Sequence, residues 1–364
     1  MGDDITLLLR NDCCLSRCAD VRMCGCAQRV CKYFVVEYNQ RRLPQNHPKQ
    51  NYMNTLAIDI GGSQFRTAVA TVSDAGLQFS PASQRLLASD CTKEKIFAML
   101  EESIAESAPD GNYERIGITI PGLADAAAGI WVYACFSGIR DVPIAKILSE
   151  KYGKPVFIDN DVNACALAER RFGICAGTKD FLWITVSNGI GGGLVLGGEV
   201  YAGHFGNAGE IGHVCVIEEG GFRCGCGNYG CLEAEAAGPG IARRYAALMG
   251  KEFFDLSAEH LATEQLAAEQ IAELARAGDE TAKSVFDTTG RLIGKAASYA
   301  VNLLNLEKVV IGGGVSNSFD LLLPSMEASF REKVFRDANP SVVFEKTALG
   351  TNAGLAGAVA VAMR

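Results

Sequence analysis

Two stretches of this chain share one plan: an alternating strand, a glycine turn and a second alternating strand. That plan restricts the fold more than any other feature of the sequence. The first stretch runs Leu56-Ala57-Ile58-Asp59-Ile60-Gly61-Gly62-Ser63-Gln64-Phe65-Arg66-Thr67-Ala68-Val69-Ala70. Leu56, Ile58 and Ile60 alternate before the turn, and Phe65, Thr67 and Val69 alternate after it. The second runs from Phe181 through Ser187-Asn188-Gly189-Ile190-Gly191-Gly192-Gly193 to Leu196. One such hairpin near the start of each half predicts a duplicated α/β domain. A dinucleotide-binding turn would lead from strand into helix, whereas both of these lead into another strand. Phosphate oxygens approach backbone N–H groups closely only where no Cβ intervenes, which gives the glycines a chemical use. Hairpin turns also favour glycine for their own geometry, so the glycines alone decide little. Asp59, at a strand tip beside the first turn, can orient Mg²⁺ through water or cap the turn.

A third segment places carboxylates at a strand end. Pro155-Val156-Phe157-Ile158 reads as a short apolar strand, Asp159-Asn160-Asp161-Val162-Asn163 follows, and Ala164 to Arg171 reads as helix. Asp161 is then either a helix N-cap or a general base at the mouth of an α/β cleft. Phosphoryl transfer to an alcohol needs a carboxylate to accept the hydroxyl proton. Neighbouring residues can divide the two roles, one capping and the other projecting.

The most specific local pattern is Glu210-Ile211-Gly212-His213 followed by Cys224-Gly225-Cys226-Gly227-Asn228-Tyr229-Gly230-Cys231-Leu232-Glu233. Three closely spaced cysteines and a preceding histidine suit a closed, tetrahedral Cys₃His zinc site. His213, Cys224, Cys226 and Cys231 are its ligands on this reading. The zinc is structural and not the Lewis acid of a reaction. Cys215 falls outside the spacing and is expected in the core.

Composition narrows the classes. The chain has 364 residues, 48% hydrophobic and 21% charged, which is globular and long enough for about two domains. A net charge of −8 argues against a nucleic-acid surface. No run of 18 apolar residues occurs, and the acidic start, with Asp3 and Asp4, is unlike a secretory signal. A cytoplasmic protein with no membrane partner is expected.

Residues 1–52 stand apart. They carry six of the 14 cysteines and a balance of +3, against −11 for the remainder. They end in Leu43-Pro44-Gln45-Asn46-His47-Pro48, a polar, proline-interrupted linker. The expectation is an extension upstream of Met53 as true initiator. The alternative is a small metal module on Cys13, Cys18, Cys24, Cys26 and Cys31, whose spacing fits no usual zinc pattern.

Taken together and in order, Asp59-Ile60-Gly61-Gly62-Ser63, Asn160-Asp161-Val162-Asn163, Gly206-Asn207-Ala208-Gly209-Glu210-Ile211-Gly212-His213 and the Cys224–Glu233 segment resemble the ROK family of repressors, open reading frames and kinases. The resemblance runs from Leu56 to the C-terminus. It implies two actin-like ATPase (ribonuclease H-like) α/β domains around a central cleft, and ATP, Mg²⁺ and a structural Zn²⁺ as cofactors. It implies Asp161 as catalytic base. Asn160, Asp161, Glu210, His213 and Glu233 would meet a hexose or hexosamine, with His213 also a zinc ligand. Asp59, Gly61, Gly62 and Ser63 match the first phosphate motif, and Asn188, Gly189, Gly191 and Gly192 the second. Gly312, Gly313 and Gly314, after the strand Lys308–Ile311, look like the adenosine-side motif. The domains implied are 53–172 and 173–349, hinged near Phe172–Thr178, with a closing helix at about 350–364 returning to the first. A homodimer or higher homo-oligomer is expected. Many relatives have Lys where this chain has Gln64, and Thr where it has Asn188. Ala134-Cys135-Phe136-Ser137-Gly138-Ile139-Arg140 replaces a commoner polar sugar loop, so the sugar itself is not named. The activity implied is ATP-dependent phosphorylation of a sugar hydroxyl. The alternatives are a sugar-responsive regulator, which would need a DNA-binding segment that residues 1–52 do not resemble, or a catalytically weak sugar-binding paralogue.

Overall fold

The computed structural model describes residues 53–62, 64–74, 76–87, 91–134, 138–250 and 267–364. The expectations for residues 1–52, for Ser63 and for Cys135–Ser137 lie outside the described residues.

The first half runs β1 (Met53–Ile60), β2 (Gln64–Ser73), β3 (Gly76–Phe79), β4 (Ser83–Leu86), α1 (Lys93–Ser107) and β5 (Arg115–Ile120). A small antiparallel sheet follows, β6 (Leu123–Asp125), β7 (Ile130–Tyr133) and β8 (Arg140–Val142), then α2 (Ile144–Tyr152), β9 (Val156–Asn160) and α3 (Asp161–Phe172). The second half runs β10 (Phe181–Val186), β11 (Ile190–Leu196), β12 (Glu199–Val200), α4 (Leu232–Ala236), α5 (Gly238–Leu248), α6 (Ala268–Arg276), α7 (Glu280–Leu304), β13 (Lys308–Gly312), α8 (Phe319–Lys333), β14 (Val343–Lys346) and α9 (Ala353–Ala362).

The two main sheets repeat one topology. The first has the order β3-β2-β1-β5-β9, with β4 also on β2, and the second β12-β11-β10-β13-β14. In each, the glycine hairpin is antiparallel, with Ile60 opposite Phe65 and Val186 opposite Ile190. Its first strand then opens a parallel run in which each strand pairs with the next, β1–β5–β9 and β10–β13–β14. The duplication read from the hairpins is therefore real.

β1 is covered on both sides, and its alternation sorts residues by size. Leu56, Ile58 and Ile60 join Ile96 and Leu100 of α1 in one core. Ala57, with Ala68 and Ala70, faces Leu355, Ala358 and Val359 of α9. The small residues let that helix lie almost on the sheet. A Cβ on Gly117 of β5 would collide with the Ala358 carbonyl, and one on Gly357 would crowd the backbone of Ala164 in α3. α9 packs on β1 and β5 of the first sheet and on α3. The second half has its own core around β10, β13, α7 and α8.

Candidate active site

The junction of β9 and α3 divides the capping and projecting roles between neighbours. Asn160 is the N-cap; its Oδ1 accepts from the N–H groups of Val162 (2.9 Å) and Asn163 (3.2 Å). Its Nδ2 donates to the carbonyl of Gly122 (2.9 Å) and to Oδ1 of Asp161 (3.0 Å). Asp161 Oδ1 also accepts from Val162 N–H (3.0 Å). Both bonds fall on Oδ1, so Oδ2 is the oxygen left for a ligand proton. Burial first, and the neighbouring Asp59 charge second, push the Asp161 carboxyl up to about 7, against a small lowering by its hydrogen bonds. A carboxylate tuned near neutrality suits a general base.

Asp59 ends β1 opposite Thr119 of β5, whose hydroxyl donates to its Oδ1 at 2.8 Å. Burial raises its pKa; the Thr119 bond and the Arg66 guanidinium act the other way. Arg66 is Asp59's cross-strand partner and reaches on to the Thr351 carbonyl and to Asn352 Oδ1 (3.0 Å), tying β2 to the turn before α9. Gly354 leaves the Asp59 carboxylate its space, since a Cβ there would overlap it. Two carboxylates, Asp59 near the end of β1 and Asp161 at the start of α3, each disfavoured as an anion, are hard-oxygen chemistry suited to a divalent cation such as Mg²⁺. Thr119 and Arg66 escaped the sequence reading because neither belongs to a motif.

The glycines separate into two groups. Gly61 N–H closes the first turn on the Gln64 carbonyl (2.8 Å), while a Cβ on Gly62 would meet nothing, so neither contact nor left-handed backbone demands glycine there. The same is true of Gly314, which opens a 3₁₀ turn after β13. Space is left at both for a ligand to approach the backbone. In contrast, a Cβ on Gly191 would strike Val162 of α3, one on Gly192 the Gly209 carbonyl, and one on Gly312 the Trp183 ring. These glycines are needed for packing whatever else they do. Gly313 has φ +82° and lies against the Val186 carbonyl. The Asn188 turn is closed by Ser187 N–H on the Gly189 carbonyl (2.9 Å). Glu233 supports it from beneath: its Oε2 accepts from Ile190 N–H (3.0 Å), and a Cβ on Gly189 would collide with that oxygen. Glu233 thus has a structural role that its place in a sugar motif did not reveal.

His213, Cys224, Cys226 and Cys231 converge, with their ligand atoms all within 4.8 Å of one another. Zn–S bonds of ~2.3 Å and Zn–N bonds of ~2.0–2.1 Å put S···S at about 3.8 Å and S···N at about 3.5 Å in a tetrahedron. The Cys226–Cys231 sulfurs are 3.7 Å apart, and Cys224 Sγ is 3.6 Å from His213 Nδ1. The donor set and spacing fit Zn²⁺. With Nδ1 toward the cysteines, His213 Nε2 faces Glu210, 3.8 Å from Oε2, and Glu233 Oε1 lies 3.9 Å from Cys224 Sγ. Buried Glu235 anchors the loop, accepting from Phe222 N–H and pairing with Arg244 at 2.6 Å. Cys215 is not in the core; it is exposed, its backbone bridging that of Cys231 and its thiol turned to the Ile217 carbonyl (3.3 Å).

Residues 55–364 match the profile of the ROK family. The chain belongs to the ROK family. It is 38% identical to a glucokinase of Halalkalibacterium halodurans over 66% of this chain and 74% of that one. It is 32% identical to the DNA-binding transcriptional dual regulator NagC of Escherichia coli over 62% of this chain and 55% of that one. Among solved structures, a ROK family glucokinase from Streptomyces griseus in complex with glucose and AMPPNP has a TM-score of 0.72 and 29% identity, covering 85% of this chain and 99% of that one. A ROK family transcriptional regulator, a homologue of the E. coli MLC protein, has a TM-score of 0.75 and 28% identity, covering 86% and 78%. The fold is the two-domain actin-like ATPase fold of ROK sugar kinases.

Proposed function

We propose that this ROK protein is an ATP-dependent sugar kinase acting on a hydroxyl of a hexose or N-acetylhexosamine, most simply the 6-hydroxyl of glucose. The observation that carries the reading is the state of Asp161. Its neighbour caps the helix in its place, one of its oxygens is held by two donors, and its proton affinity is tuned to neutrality. A helix cap needs none of this tuning.

On this reading Asp161 Oδ2 takes the proton of the sugar hydroxyl as that oxygen attacks the γ-phosphorus of ATP. The new O–P bond forms while the bond to the β-phosphate oxygen breaks, and ADP leaves. Mg²⁺, oriented from Asp59, would supply charge neutralisation on the phosphates. The open backbone at Gly62 and Gly314 would line the nucleotide, together with the turns at Gly61–Ser63 and Asn188–Gly189. Asn160, Glu210, His213 and Glu233 would hold the sugar, with Zn²⁺ on His213, Cys224, Cys226 and Cys231 fixing the loop that presents them. Residues 53–172 with 350–364, and 173–349, would act as two domains closing on the substrates. The setting would be the cytoplasm, where ATP is supplied; no helix of the described residues is long and apolar enough to cross a membrane.

A sugar-responsive regulator is the second reading, favoured by the likeness to NagC and to the MLC homologue. ATP-dependent turnover across a panel of glucose, mannose, fructose, allose, N-acetylglucosamine and N-acetylmannosamine separates the two. Release of ADP with at least one sugar is expected. Sugar binding without turnover on any panel member would refute the kinase.

A further inference from the structure

A cavity of about 550 Å³ is lined by Asp159 of β9 and by Asn163 and Leu167 of α3, but not by Asp161 between them. Its walls come from the β6–β7 turn, from α3, and from the segment after β12. None of Asp161, Glu210, His213 or Glu233 lines it. We propose that this cavity is a second binding site, for a neutral polyhydroxylated molecule of mono- or disaccharide size.

Asn163 is the first ground. The residue is only 5% exposed, lines the cavity, and its side-chain amide has no hydrogen-bond partner among the described residues. Its backbone N–H is held by the Asn160 cap. Buried amides are nearly always paired, and one left open toward a cavity asks for a ligand that both donates and accepts.

Charge sets the ligand class. Arg364 brings a cation to the wall, its charge offset by Asp159, which pairs with its Nη1 at 2.6 Å and accepts from Asn160 N–H (2.7 Å) on the other oxygen. Asp125 and Glu199 remain, and neither forms an ion pair among the described residues. Such a wall repels phosphates and carboxylates and offers acceptors to hydroxyl donors. Phe205, 86% exposed, presents an aromatic face at the rim, with the His204 ring edge-on to it at 4.5 Å. Hydroxyl acceptors, one amide and an exposed ring face suit the edges and C–H faces of a sugar ring.

The position couples this cavity to the first site. The chain from His204 to Asn207 continues into Gly209, which lies directly on Gly192, and then into Glu210 and His213. A ligand against His204 and Phe205 would shift the preference of that segment among its positions, and so the affinity for the acceptor sugar.

The test uses equilibrium dialysis of the full chain with labelled glucose, N-acetylglucosamine, maltose and cellobiose, with ATP turnover followed separately. Binding beyond one equivalent is expected for at least one probe. It should weaken tenfold or more in Phe205→Ala/Glu199→Gln, two exposed positions whose replacement leaves the fold intact, while turnover without that probe stays unchanged. The expectation includes persistence of the extra equivalent in Glu210→Ala. Saturation of every probe at one equivalent, or an extra equivalent indifferent to the double variant, overturns the second site. Absence of turnover alone bears on the kinase reading and leaves this one standing.

Discussion

Asp161→Asn separates chemistry from structure at a single atom pair. Asn is nearly isosteric, and its Oδ1 can still accept from Asn160 Nδ2 and Val162 N–H. The cap itself is untouched, because it belongs to Asn160. What the amide cannot do is take a proton. General-base catalysis is worth ~10²–10⁴-fold, so kcat should fall by that order, about 3–5 kcal/mol in barrier. KM for the sugar should change little, since the hydrogen-bonding outline survives.

The same substitution should stabilise the fold, and the sign can be worked out. Asp161 has its carboxyl pushed from 3.8 up to about 7 in the folded state. The folded chain therefore holds a proton that the unfolded chain releases between pH ~4 and ~7, so stability falls as pH rises through that window. Three pH units correspond to a ceiling of ~4 kcal/mol. Partial solvent access at Asp161 brings the figure nearer ~2 kcal/mol. The neutral amide carries no such penalty. Without Mg²⁺, Asp161→Asn should melt several degrees above the parent at pH 8 and level with it at pH 4. Added Mg²⁺ should narrow the gap. For the parent, kcat/KM should rise with pH up to about neutrality, as the base loses its proton. Coupled-assay kinetics and calorimetric melting at the two pH values read all of this. Turnover near the parent rate, or a variant that melts lower at pH 8, would refute the reasoning.

Cys226→Ser should release zinc, measured by elemental analysis of the purified protein, and should raise KM for the sugar more than it lowers kcat; a metal-free parent purified without chelators would sink the site. Glu169→Ala should cost about 3 kcal/mol in denaturant unfolding, because the fully buried Glu169 accepts from Ile174 N–H (2.9 Å) and Thr347 Oγ1 (2.6 Å), and both donors would be orphaned; a loss under 1 kcal/mol would show that water replaces it. A chain beginning at Met53 keeps all of β1 and should match the full chain in melting temperature and turnover, and a clear loss of either would assign residues 1–52 a part in the fold or the site.

What was legible in the sequence was local. The hairpins could be read because alternation and turn lie within one stretch, and the convergence of His213, Cys224, Cys226 and Cys231 because glycines bring near neighbours together. That neighbours at this junction divide capping from projecting could be read because they are adjacent; which of them caps the helix, Asn160, took the structure to show. What escaped was held by partners far along the chain. Thr119 reaches Asp59 only because β5 lies beside β1, and Thr347 reaches Glu169 across 178 positions. Cys215 is the instructive failure of the ordinary rule that free cysteines are buried: its strand-like bridge to Cys231 turns the side chain outward.

The glycines carry the more general lesson. Gly62 and Gly314 have open space where a Cβ would be, whereas Gly191, Gly192 and Gly312 are glycine because α3, Gly209 and Trp183 come too close for anything larger. In sequence the two kinds are identical, since both report only that no side chain is present. The physical difference is what occupies the space, protein in one case and an unfilled approach to the backbone in the other. A motif that counts glycines therefore overstates the number that can meet a phosphate. It also hides how α3 is fixed: Val162 and Ala166 press on Gly191 and Gly193, while Asn160 caps the helix from β9. The packing glycines of the second hairpin thus hold in place the helix whose first residue is Asp161. If Asp161 is the base of a kinase, replacing one of them should lower turnover without touching a phosphate, by moving Asp161.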